Sequence, residues 1–171
     1  MTDTKKPASA AEKKRQQIRD ILWPAIDEDQ LWRRKKSTGF TTIPRTMPLI
    51  IEIINCLTKG KPAGPTYLEL WCRAYDECFV DLDEADSMAF CSGFSGQRAS
   101  NTWRGRVQEL QTLGFLDIRS VGGKEYALIF NPYRVIQKLR DEKSAGLTEN
   151  HYNALLLRAT DIGARDLKAA E

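Results

Sequence analysis

The chain has 171 residues, a formal net charge of +3, 42% hydrophobic and 29% charged residues, and one histidine against four cysteines. That length holds one domain with a proper core and extensions at both ends. No apolar run is long enough to cross a bilayer, and the lysine-rich start, Met1 to Asp20, has no signal-peptide core. The expectation is a cytoplasmic protein with no membrane partner.

Taken in order, residues 1–45 read as a basic, partly helical arm. Ser9 and Glu12 have capping-box spacing, and Ala10 to Leu22 reads as a helix ending before Trp23-Pro24. Its only large apolar residues are Ile18, Ile21 and Leu22, so it either docks weakly through its last turns or stands free. Arg33, Arg34, Lys35 and Lys36 follow as four successive cations. They suit an arm that contacts phosphates, or equally a solvated linker kept soluble by charge.

Residues 46–140 read as the main domain. Thr46 to Leu57 is a helix with Thr46 as cap, Pro48 in the first turn, and Met47, Ile50, Ile51, Ile54 and Leu57 facing inward. After KGKPAGP, a Thr66–Glu69 capping box predicts a helix whose inner stripe is Leu68, Trp71, Cys72, Tyr75 and Phe79. Cys78 to Leu82 is a short strand. Asp83 is expected to cap a short helix through about Cys91, with Ala85, Met88 and Ala89 inside. SGFSG is then a tight turn.

The next stretch, Gln97 to Phe115, organises the rest. Ala99, Trp103, Val107 and Leu110 form one apolar stripe at helical spacing. Arg98, Asn101, Gly105, Gln108 and Thr112 lie opposite, flanked by Gln97 and Arg104. Arg, Asn and Gln on one helix face can pair bidentately with base edges in a DNA major groove, though a surface helix with solvated polar residues has the same pattern. Gly114 stops the helix.

FLDIRS and KEYALIF are two strands around Gly122-Gly123, which predicts a hairpin with Val121 opposite Lys124 and Arg119 opposite Tyr126. Leu116, Ile118, Ala127 and Ile129 form its core side, leaving Arg119, Lys124 and Tyr126 outside. Asn131-Pro132 starts a helix with a docking stripe of Val135, Ile136 and Leu139. Residues 141–171 form a C-terminal helical extension. Its helix runs from Thr148 to about Asp161, with a Leu147–Tyr152 staple. The Leu155-Leu156-Leu157 run packs back on Val135, Ile136 and Leu139 or meets a second copy, giving a homodimer.

Charge alternates along these segments. Residues 1–45 carry 11 Lys and Arg against 6 Asp and Glu, residues 46–94 carry 3 against 8, and residues 95–140 carry 8 against 3. A basic segment beginning at the central helix is the electrostatic footprint of a nucleic-acid face. Cys56, Cys72, Cys78 and Cys91 form no CxxC pair, so no metal site is expected and all four read as reduced, with Cys72 and Cys91 in the core. No nucleophile elbow, phosphate loop or dinucleotide fingerprint is present. Neither catalysis nor a cofactor is expected.

The turn SGFSG, the helix TWRGRVQELQTLGF and the hairpin FLDIRSVGGKEYALIF resemble the winged helix-turn-helix family over residues 66–130. The resemblance implies a mainly α fold with a small β-hairpin, a winged helix-turn-helix core carrying additional N- and C-terminal helices. It implies double-stranded DNA as partner, the helix at 97–113 in the major groove and the hairpin at 115–130 as wing. Gln97, Arg98, Asn101, Arg104 and Gln108 then approach bases, and Arg119 and Lys124 contact phosphate. The protein would be a transcriptional regulator or a replication or partition accessory, of a bacterial type. Winged helices also serve as protein-docking modules, so the alternative is an adaptor subunit of a larger nucleoprotein or defence complex.

Overall fold

The computed structural model describes residues 9–167. Within them lie seven α-helices and one three-stranded antiparallel sheet. The chain divides into two compact units, Met1–Phe40 and Thr41–Glu171.

In the first unit, α1 (Ala10–Leu22) starts at the capping box that the sequence predicts. The Ser9 hydroxyl accepts the Glu12 N–H at 3.2 Å, and the Glu12 carboxylate accepts the Ser9 N–H at 2.7 Å. No residue of α1 is buried, and Ile18, Ile21 and Leu22 are all exposed. A single 3-10 turn follows at Glu28–Gln30. Beyond it, Trp32 meets Phe40 edge to face at 5.6 Å.

The second unit opens with α2 (Met47–Leu57) and α3 (Gly64–Arg73). The buried face of α2 is Met47, Ile50, Ile53 and Ile54, while Ile51 and Leu57 are only half-buried. Ile53 was not expected inside; helices packing from two directions widen the buried stripe of α2. Thr46 precedes the helix but makes no side-chain cap, and its buried hydroxyl bonds the Tyr133 hydroxyl instead.

The start of α3 departs most from expectation. The helix begins two residues before Thr66, with Pro65 in its first turn and Ala63 as N-cap. Its first donors are satisfied by the preceding helix: Gly64 N–H donates to Asn55 Oδ1 at 2.8 Å, and Ala63 N–H to Thr58 Oγ1 at 3.2 Å. A Cβ on Gly64 would lie 2.6 Å from Ile51 Cγ2, so only glycine allows this approach. Thr66 is consequently inside the helix and caps nothing, and Glu69 pairs with Arg73 at 2.5 Å. The inner stripe becomes Tyr67 and Leu70, with Leu68 and Trp71 partly buried. Cys72 is exposed and Tyr75 is 83% exposed, beyond the helix end.

The short strand β1 (Phe79–Asp81) leads into α4 (Ala85–Cys91), which buries Ala85, Met88 and Ala89 as expected. Asp83 is not its cap. Glu84 holds that position without a side-chain bond, and Asp81 Oδ1 accepts the Asp83 N–H at 2.8 Å. Cys91 closes α4 on its exposed side.

The central helix α5 (Ala99–Thr112) buries Trp103, Val107 and Leu110, with Trp103 at 0% exposure. Strands β2 (Leu116–Val121) and β3 (Lys124–Ile129) form the hairpin in the predicted register, Arg119 opposite Tyr126 and Val121 opposite Lys124. Gly122 and Gly123 have φ of 60° and 79°, the conformation that a two-residue turn between twisted strands requires. β3 is central, because β1 pairs with its other edge. Leu116, Ala127 and Ile129 point into the core, with Ile118 packed against it.

Asn131 caps α6 (Pro132–Asp141) by accepting the Tyr133 N–H at 3.0 Å, and Val135, Ile136 and Leu139 are buried. Thr148 caps α7 (Glu149–Asp161), which packs on α2. Tyr152, Leu155 and Ala159 are buried there, while Leu156 and Leu157 face outward. Each buried side chain of leucine size contributes about 1.5–3 kcal/mol. No helix among the described residues is long and apolar enough to cross a membrane.

Candidate nucleic-acid interface

The apolar stripe of α5 faces inward, so its opposite side is outside by construction. Gln97, Arg98, Asn101, Arg104 and Gln108 are all exposed there. Arg98 occupies the N-cap position of the helix, and the remaining four lie just before it or along its length. Gly105 sits among them, and a Cβ built on it would meet nothing within 4 Å.

The polar residues of this face fall into two groups. The side chains of Gln97, Arg98, Asn101 and Gln108 have no hydrogen-bond or ion-pair partner among the described residues. Arg104 is engaged: its guanidinium lies 3.0 Å from Glu125 on β3. An arginine held by a carboxylate must exchange that partner before it can read a base.

The hairpin cations are engaged as well. Arg119 is strongly exposed but donates to Asp117 at 2.8 Å on its own strand. Lys124 lies 2.7 Å from Asp83 and 3.6 Å from Asp81, the acidic groups that β1 brings alongside β3. The Asp83 carboxylate, by hydrogen bond and charge, and then Asp81 hold the Lys124 ammonium above its ordinary range. Asp86 approaches the start of α5 and accepts from Ser100. Acidic residues from the preceding segment therefore border the basic one.

The outer face of the sheet carries a shallow depression lined by Phe79, Asp117, Arg119, Tyr126 and Leu128. Phe79 is 47% exposed and meets Tyr126 at 6.0 Å between ring centres. Phe79 was expected in the core, but alternation along β1 sends only Val80 inward.

In the first unit the four-cation run is partly committed. Arg33 pairs with Glu28, Lys36 lies 3.5 Å from Asp29, and Arg34 lies 5.9 Å over the Phe40 ring. Lys35 has no ion-pair partner among the described residues.

One cluster was not foreseen. Glu52 and Cys56, one turn apart on α2, meet His151 of α7. Their spacing of four residues was readable, but the third member lies 95 positions away. Burial, then the Glu52 carboxylate, push the Cys56 thiol up, the opposite of what a nucleophilic thiolate needs.

The chain has no significant match among protein-family models, curated proteins or solved structures.

Proposed function

We propose that this chain is a winged helix-turn-helix protein that binds double-stranded DNA sequence-selectively, as a transcriptional regulator or a replication or partition accessory. The observation that carries the proposal is the group of four unengaged side chains, Gln97, Arg98, Asn101 and Gln108, around the open surface at Gly105. Amides and guanidinium groups on one exposed helix face match base-edge donors and acceptors, and a helix fits the major groove. The element order α3, β1, α4, α5, β2, β3 supports the same assignment, with the hairpin beside the groove helix. Arg119 and Lys124 then reach phosphate by leaving Asp117 and Asp83 for it.

Selection of bound duplexes from a random pool tests the proposal. It should return a preferred sequence, and paired half-sites one helical turn apart would show two copies bound together. Affinity should fall with salt with a log–log slope of roughly −4 to −5 for about 5 phosphate contacts. In the same assay, Arg98→Ala and Asn101→Ala should each relax preference at particular base pairs, worth about 1–3 kcal/mol of discrimination per pair. Their thermal stability should stay close to that of the parent. A random pool with no enriched sequence and no salt slope would defeat the proposal.

A second reading rests on a different observation. Phe79, Leu128 and Val121 are exposed on the outer face of the sheet. An adaptor that docks another protein through this face would bind no duplex in the same selection.

A further inference from the structure

Glu52, Cys56 and His151 present a carboxylate, a thiol and an imidazole to one point. Cys56 Sγ is 3.8 Å from Glu52 Oε1 and 3.9 Å from His151 Nε2, and the three donor atoms lie within 4.8 Å of one another. A tetrahedral zinc ion with bonds of about 2.3 Å to sulfur and about 2.1 Å to nitrogen holds those two atoms about 3.6 Å apart. The Cys56–His151 spacing is therefore a few tenths of an ångström from a bound geometry, and rotation of the exposed Glu52 side chain brings its carboxylate to the same point.

The surroundings fit the same purpose. His151 Nδ1 lies 2.9 Å from Thr148 Oγ1, so a ring that donates there keeps the Nε2 lone pair toward Cys56. Metal-binding histidines are commonly oriented in this way through their second nitrogen. Backbone packing also holds the two helices in register. A Cβ on Gly146, in the connection leading to α7, would lie 2.7 Å from the Cys56 carbonyl oxygen. That close approach fixes the end of α2 against the start of α7.

We infer that Glu52 on α2, Cys56 on α2 and His151 on α7 form a binding site for a zinc-class divalent cation. The sulfur and imidazole donors select a borderline-soft ion over magnesium or calcium. Three protein donors leave a fourth position, which water fills from the side where Glu52 is exposed. The ion joins two helices distant in sequence, and its binding stabilises their contact.

Co2+ is the probe, titrated into the reduced full-length chain while thiolate-to-metal charge transfer is followed in the near ultraviolet. A variant with Cys72, Cys78 and Cys91 all replaced by serine should keep the band, saturate with one equivalent and release the Co2+ to Zn2+. Cys56→Ser should abolish it. Glu52→Gln and His151→Gln should each weaken binding tenfold or more, and Thr148→Val by about 10–100-fold. Glu52 is exposed, so Glu52→Gln leaves the fold intact and tests the site directly. No band in the parent, a band that survives Cys56→Ser, or unchanged affinity in Glu52→Gln would each overturn the site.

Discussion

Gly105 lies in the middle of α5, where a glycine costs about 0.5–1 kcal/mol relative to alanine. Nothing lies within 4 Å of the Cβ it lacks, so packing does not account for it. Gly105→Ala should raise the melting temperature by about 2–4 °C for each kcal/mol gained. The same methyl would hold a duplex away from the helix backbone, so duplex affinity should fall as stability rises. Thermal unfolding and titration of a selected duplex, run on one preparation, read both effects. Higher stability with unchanged affinity would place the groove elsewhere. Tyr67 poses the converse problem: its hydroxyl is buried with no partner among the described residues, and burial drives its phenol far above the ordinary range. Its ring contacts Phe115 at 5.6 Å and Trp71 at 5.9 Å, and phenylalanine keeps both. Tyr67→Phe should leave stability unchanged or raise it by up to about 1–3 kcal/mol, since an unpaired buried hydroxyl carries its full desolvation cost. A clear drop in melting temperature would show that the hydroxyl has a partner.

At the scale of elements, legibility follows the distance of the deciding interaction. α5 and the hairpin are marked by their own residues, the Trp103–Val107–Leu110 spacing and the Gly122-Gly123 turn, so both could be read locally. The start of α3 is decided by Asn55 and Thr58 of the preceding segment, which satisfy donors that a local capping box would otherwise serve. The side that packs runs through Tyr67 and Leu70, so Cys72 faces outward, and Tyr75 lies past the helix end at Arg73. The exposure of Arg98, Asn101 and Gln108 followed from helix geometry, whereas the pairing of Arg104 with Glu125 and of Lys124 with Asp83 depends on strand placement. The Glu52–Cys56–His151 cluster needed α7 to be seated on α2. α1 depends on a local device, and its pH response follows from it. The Ser9 backbone N–H, then the Ser9 hydroxyl, hold the Glu12 carboxyl below its ordinary range. A lowered folded value means the cap is fully formed above the ordinary glutamate range and is lost as pH falls through that lowered value. Amide resonances of Ser9 and Glu12 should titrate together below the ordinary glutamate range. A Glu12 that titrates at its ordinary value would show that the capping box does not persist in solution.

Within the second unit, the acidic and basic segments of the sequence meet at the hairpin rather than forming separate faces there. Asp81 and Asp83, from the acidic segment, sit against Lys124 of the basic one, which tempers the positive field beside α5. For the DNA-binding function proposed above, this arrangement favours discrimination by the unengaged side chains over attraction by a strongly basic surface. The seating of α7 on α2 bears on how the chain reaches this state. Leu155 is fully buried in that contact, and its neighbour His151 lies 95 positions from Cys56. Closing a loop that long costs entropy before the contact repays it, so the expectation is that this contact forms late on the route from the unfolded ensemble. Leu155→Ala should cost about 2–5 kcal/mol, and the loss should appear as faster unfolding with the refolding rate nearly unchanged. Stopped-flow rates across a denaturant series would check this, and a slowed refolding limb would instead put the contact in the nucleus. During synthesis, the side of α2 that receives α7 therefore stays uncovered until Glu149–Asp161, at the far end of the chain, has been made.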